Sequence, residues 1–332
     1  MTATAQPLTA AVAVLSTHSL VVDREEGASL EEMIFEATTC ALASAGLSHA
    51  TLDAVVLSGQ DQTDGRVISC MTSAGPAAGV DRDVTMIASS GEHALVYGWL
   101  RLLSGQGRNV LVVGWSKPSE SVHPEHAELV SAEPFVLRGV GMNNTLAAAL
   151  QASRWVGSDT AAVGDVVAWP LRRGDLPARA DAVHAAVLAV EEAVGEADPV
   201  AWIRGAGWST DAYELGARDL AEQTSLAQAH SQVIGRPGVP DTAEWNTVEV
   251  AAASELAVGR VRSTLGLGPG TAVNPSGSLR EQPGSPHVSG LGRLLAAARS
   301  VSGGQGLRAA GVALHGFAGQ GATVMVFSSE KE

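Results

Sequence analysis

Cysteine is almost absent: the 332-residue chain has only Cys40 and Cys70. No disulfide framework and no thiolate metal site is evident from such a pair. Positive charge is also scarce, since 21 Lys and Arg stand against 35 Asp and Glu for a net charge of −14. With no basic cluster, nucleic acid and anionic membranes are excluded as expected partners. No apolar run approaches the ~20 residues needed to cross a bilayer. The first residues, MTATAQPLTAAVAVLST, lack the positive region of a secretory signal. A soluble, cytoplasmic protein is expected. Tyrosine is confined to Tyr97 and Tyr213, and Tyr97 falls in a segment that reads as core.

Small and apolar residues are abundant. Hydrophobic residues make up 45% and glycine numbers 37, a composition suited to closely layered helices and sheets. Strands are expected at 11–22, 52–59, 181–190, 202–208, 245–250, 271–277, 309–315 and 323–328. Helices are expected at 30–45, 91–103, 144–155, 217–233, 252–265 and 287–301. Ser29 reads as an N-cap and Gly46 as a stop for the first helix. Residues 118–139 and 157–180 read as loop. LLSGQGRNVLVVGW (102–115) is echoed by SVSGGQGLRAAGVALHG (300–316), each a Ser-Gly turn into a strand after a helix. Alternating strands and helices with such an echo predict two similar α/β halves packed in layers. They are assigned to 1–197 and 198–332, with a loop region at about 118–180.

Residues 85–115, TMIASSGEHALVYGWLRLLSGQGRNVLVVGW, organise the first half. A helix from Gly91 to Leu103 is apolar nearly all round, with only Glu92, His93 and Arg101 charged or titratable. Such a helix is buried on all sides. Its first turn directs unpaired N–H groups at Ala88-Ser89-Ser90-Gly91, where the helix dipole would activate a nucleophile. This frame resembles the active-site segment of thiolases, in which Cys-Ala-Ser-Gly opens a buried helix that ends in Ser-Gly before a strand. The resemblance places the nucleophilic cysteine at Ala88. It implies a duplicated αβαβα layered fold with a reduced loop region.

Three further motifs follow from the resemblance. The oxyanion-hole histidine of sterol-carrier-type thiolases aligns with Val248, and losing one such donor typically costs ~10²–10³ in rate. Val273-Asn274-Pro275-Ser276-Gly277 matches Asn-Pro-Ser-Gly-Gly and is the most specific match. Its Gly-His-Pro continuation reads Gly284-Ser285-Pro286, so Ser285 takes the place of the basic histidine, with His287 as a substitute if the loop shifts. The second cysteine is replaced by His315, followed by Gly316-Phe317-Ala318-Gly319-Gln320-Gly321. An imidazole there could act as acid or base near neutral pH or serve as an ordinary buried histidine. His315, His287, Ser285 and Asn274 are the expected acid/base group. Ser89, Ser90, Gly316 and Gly319 are expected to contact substrate.

Other arrangements are weaker. Ser89 and Ser90 could be nucleophiles, but serine needs a positioned base. His93, on the next turn of a regular helix, is expected to face away, which leaves N-capping as their role. His123 and His126 have metal-ligand spacing but no third ligand, so no metal is expected. Substitution at all four reactive positions makes cysteine-based condensation improbable, because catalytic groups that act as a unit fail together. One expectation is a catalytically silent subunit supporting a thiolase-type or condensing partner. The resemblance also implies homo- or hetero-dimers and a possible small zinc-ribbon/OB-fold partner. The alternative is a repurposed aldolase or acyltransferase acting on a CoA or carrier-protein thioester. No cofactor is expected beyond CoA as part of the substrate.

Overall fold

The computed structural model describes residues 11–64, 69–156, 166–195 and 198–331. The expected boundary between halves at 197/198 borders residues outside that set. Ten strands form one mixed sheet: β1 (Val12–Val22), β2 (Ala54–Ser58), β3 (Asp83–Ile87), β4 (Asn109–Ser116), β7 (Asp181–Val190), β8 (Ala201–Thr210), β9 (Thr247–Ala251), β10 (Ala272–Val273), β11 (Arg308–His315) and β12 (Gly321–Ser328). A separate hairpin pairs β5 (Val166–Ala168) with β6 (Leu171–Arg172).

The strand order is β10-β9-β11-β12-β8-β1-β7-β4-β2-β3. Read outward from the β1–β8 junction, the two arms repeat each other. In each, the first three strands are antiparallel and the last two join in parallel. β4 and β11, the strands of the sequence echo, occupy equivalent places. Strands of the two arms pair where Val12–Val14 runs beside Ala201–Ile203.

The helices α1 (Leu30–Ser44), α2 (Gly91–Leu103), α3 (Pro124–Ser131), α4 (Asn144–Ser153), α5 (Thr224–Ser231), α6 (Glu255–Leu265) and α7 (Ser289–Ser300) complete the layers. α2 and α7 lie between the arms, where Leu95, Trp99, Leu291 and Leu294 share one buried cluster with both sets of strands. α1 covers the outer face of the first arm through Leu30, Ile34 and Trp115. α5 and α6 cover the second through Leu226, Val258 and Val324. The result is the expected five-layered, duplicated α/β fold. Truncating a fully buried member such as Leu291 would cost about 2–5 kcal/mol.

Local signals account for most element ends. Ser29 accepts from the Glu32 amide while Glu32 reaches back to the Ser29 amide, a reciprocal N-cap, and Gly46 stops the helix at φ +66°. Four segments depart from expectation: 271–277, expected as strand, pairs only over Ala272–Val273, 157–180, expected as loop, contains the β5–β6 hairpin, and two more depart for visible reasons. Residues 217–233 are helical only over Thr224–Ser231. Before it, the Asp219 carboxylate takes the Ala221 amide, Trp155 donates to the Ala221 carbonyl, and Arg218 donates to the carbonyls of Phe317 and Ala318. Groups that a helix would need are engaged elsewhere. Conversely, residues 118–139 contain α3, which Pro124 opens at its first turn.

His184, on β7, is buried against Gly292 of α7 and sits 2.8 Å from the Ser19 hydroxyl. Burial, with help from the positive charge of Arg299, pushes its pKa down to about 3. In the unfolded chain it titrates near 6.5. Between these values the unfolded chain binds a proton that the folded chain does not, so stability falls as pH drops below about 6.5. At pH ~5 the loss from this group is about 2 kcal/mol. Urea unfolding near pH 8 and pH 5 should show it, and His184→Gln should shrink the difference by about 2 kcal/mol; an unchanged acid sensitivity in that variant would contradict this.

Candidate functional site

β3 ends at Ile87 and α2 begins at Gly91, leaving Ala88-Ser89-Ser90 as the turn. The turn is tied on both sides. Ser58 on β2 donates to the Ser89 carbonyl at 2.9 Å. The Gly91 amide donates to the His287 carbonyl at 2.7 Å, bringing the first half against the second. A Cβ at Gly91 would stand 3.0 Å from Cβ of Leu291, so the crossing of α2 and α7 needs a bare backbone there.

The serines do not cap as expected. Ser90 holds the N-cap position but makes no side-chain cap bond. The Ser89 hydroxyl instead lies 2.5 Å from Nδ1 of His93. The expectation that His93 faces away is corrected: on a helix, positions i and i+4 share a face, and Ser89 sits four residues before His93. Ala88 is exposed at the sheet edge.

Glu92 is 1% exposed in the first turn of α2. His315 ends β11, with Nδ1 3.1 Å from the Glu92 carboxylate. Neither Glu92 oxygen has an aligned hydrogen-bond donor among the described residues, and Nδ1 of His315 has no aligned acceptor. The His93 and His315 rings meet edge to face with centroids 4.7 Å apart. Burial, the largest influence on Glu92, favours the neutral acid. The His315 contact and the adjacent imidazoles outweigh it and hold the carboxyl below its usual range. Burial lowers the pKa of His93 despite Glu92 beside it. The two halves thus supply one buried Glu–His–His cluster.

Two members of this cluster, Glu92 and His315, line a cleft of about 180 Å³. Ser285, Gly290, Gly316 and Ala251–Ala253 share that lining, with Pro177 and Arg179 from the loop region. Arg179 bridges to Gly284, which fixes the loop that carries Ser285. The Ser285 hydroxyl is buried in the cleft lining with no hydrogen-bond partner among the described residues. Arg293, paired with buried Glu249 at 2.8 Å, also reaches the cleft while donating to the Gly277 and Ser278 carbonyls.

Other expected residues stand elsewhere. The His287 side chain lines a small neighbouring cavity with Ser116 and Pro118, and burial holds its pKa down to about 4. Asn274 is at φ +50°, with its side-chain amide bonded to both the amide and carbonyl of Val250; it extends the sheet edge and does not line the cleft. Val248 is fully buried in the outer core of the second arm. The strand end that faces the cleft is Ala251, three residues later. Gly319 lies away from the cleft, its carbonyl bound by Ser225. Neither cysteine lines the cleft.

Two solved structures align over nearly the whole chain. One, human mitochondrial 3-ketoacyl-CoA thiolase in complex with CoA, has TM-score 0.76 at 16% identity, over 97% of this chain and 98% of that one. The other, human mitochondrial 3-ketoacyl-CoA thiolase, has TM-score 0.74 at 16% identity, over 98% and 100%. The fold is that of the thiolases. No protein-family model and no curated protein matches the chain. The thiolase frame persists with an Ala methyl, an imidazole and a serine hydroxyl at three positions that the sequence resemblance marks as reactive.

Glu92 and His93 were not expected at the site. Their signal was charge in an otherwise apolar helix, since a fully buried Glu is rare unless paired. Gly290 makes room for Glu92: a Cβ there would lie 2.2 Å from Oε2. Gly290→Ala should therefore destabilise the fold by roughly 1–3 kcal/mol. In a Glu92→Ala background the cost should shrink, and an equal cost in both backgrounds, by urea midpoints, would show that Glu92 is not what fills the gap.

Proposed function

We propose that the protein binds an acyl thioester, of CoA or of a carrier protein, in the cleft and acts on its carbonyl end without forming a cysteine acyl-enzyme. The observation that carries this reading is the buried Glu92 carboxylate, set without an aligned donor beside His315 on the cleft lining. Burying a carboxylate costs free energy unless it is paired and hydrogen-bonded. A silent scaffold would gain stability from an apolar residue at 92, so retaining the charge there favours chemistry over bare support. The unpartnered Ser285 hydroxyl adds a polar group on the same lining. The thiolase fold and the CoA bound by the human enzyme supply the substrate class by analogy.

A second reading keeps the chain as a supporting subunit of a cytoplasmic, heteromeric thiolase-type complex. It is favoured by β3, which is the last strand of the sheet, and by the exposed Ala88 beside it. Phe135 is 92% exposed in the loop region, a placement that suits contact with a partner chain.

Incubation with an acyl-CoA followed by intact-mass analysis should show no covalent adduct, while calorimetry shows binding of the intact thioester. Ala252→Trp, which fills the cleft, should weaken that binding at least tenfold. Turnover should be lost in Glu92→Gln and His315→Gln and retained in His287→Ala. An acyl adduct on Ser89, or binding indifferent to Ala252→Trp, would refute the proposal.

A further inference from the structure

We infer that Glu92, His93 and His315 form a site for one divalent metal ion, with zinc the best match. Each offers one donor atom, and the three lie within 4.8 Å of one another. Two imidazoles and a carboxylate are a ligand set of catalytic zinc, which keeps a fourth position open. Here the open side faces the cleft, because Glu92 and His315 both line it.

Three observations point to a cation rather than to a self-contained cluster. Glu92 is buried with neither oxygen aligned to a donor, and Nδ1 of His315 is likewise unmatched. A cation between them would satisfy both groups at once. The Ser89 hydroxyl engages Nδ1 of His93 at 2.5 Å, which leaves Nε2 as that ring's free donor. Metal-binding histidines usually have the other nitrogen held in this way. Finally, backbone packing orients His315: a Cβ at Gly321 would fall 1.9 Å from Nε2, so that edge is against the chain and Nδ1 is presented to Glu92. Tetrahedral zinc with bonds of ~2.0–2.1 Å sets its ligands ~3.4 Å apart, so on loading the 3.1 Å Glu92–His315 contact widens slightly and the longer separations, up to 4.8 Å, close inward.

The inference deepens the reading of the cleft as a thioester site, since a metal held by Glu92 and His315 on its lining would polarise an acyl carbonyl in place of the missing oxyanion donors. Its test is independent of any acyl ligand. Untagged protein, stripped with chelator and dialysed, is titrated with Zn²⁺ by calorimetry and with Co²⁺ by absorption spectroscopy. The expected result is one ion per chain, intense d–d bands of tetrahedral cobalt, and a raised melting temperature from binding to the folded state alone. Glu92→Gln, His93→Gln and His315→Gln should each weaken binding by 100-fold or more. Ser89→Ala, which only frees the His93 ring, should weaken it about tenfold. Far-UV circular dichroism verifies that each variant is folded. If the buried Glu92 variant is not, the half-buried His93→Gln decides. No heat beyond dilution in the wild type, or binding unchanged by these substitutions, overturns the metal site. A metal site without thioester binding would sink the proposed substrate class alone, and thioester binding without metal would sink only this inference.

Discussion

The contact between Glu92 and His315 is the point on which the rest of the structure turns. One residue opens the central helix of the first half and the other ends a strand of the second. Their approach requires the two central helices to cross with almost no side chain between them. Gly91 lies against Leu291, and Gly290 lies against the Glu92 carboxylate. The Gly91 amide bonded to the His287 carbonyl fixes the relative height of the halves at that crossing. Close packing is thus the condition for this contact: a looser crossing would admit water, raise the local dielectric and weaken it.

Around this point the fold repeats one plan twice and uses the copies differently. β4 and β11 are equivalent strands, yet one ends in buried Ser116 bonded to Asp64 and the other in His315. The turns after them also diverge. Residues 317–319 have their carbonyls taken by Arg218, Gln151 and Ser225, so the Gly-rich turn is anchored. The loop region contributes through Arg179, which holds the segment carrying Ser285 against the cleft. The first half supplies the buried charge, the second supplies the imidazole at the cleft, and the loop region supplies a wall.

The architecture was legible because its signals are local and periodic. The capping of α1, the uniformly apolar α2 and the repeated Ser-Gly turns each follow from residue type at short range. The site was legible only in part. Ala88 lies in the turn before α2, and Ser285, His315 and Gly316 line the cleft. Val248 was placed three residues early because a strand has no internal marker of where it meets a cleft; the Ala251–Ala253 run that does so is chemically featureless. Asn274 looked functional as part of a recognisable motif, but its amide mimics a strand partner for Val250. His93 was misjudged because the turn before α2 lets Ser89 stand one helical turn below it. Glu92 carried the strongest clue, a charge in an apolar helix, and no counting along the chain could pair it with a residue 223 positions away.

The central claim is that, on a thiolase fold, the buried Glu92 carboxylate and the His315 imidazole meet on the lining of one cleft and act there on an acyl thioester. A crystal structure with a non-hydrolysable acyl-CoA analogue tests this most directly. The account predicts the acyl carbonyl oxygen directed at Glu92 and His315, beside Ser285 and unbonded to any side chain. An acyl group covalently attached to Ser89, or a ligand seated away from Glu92 and His315, would contradict it.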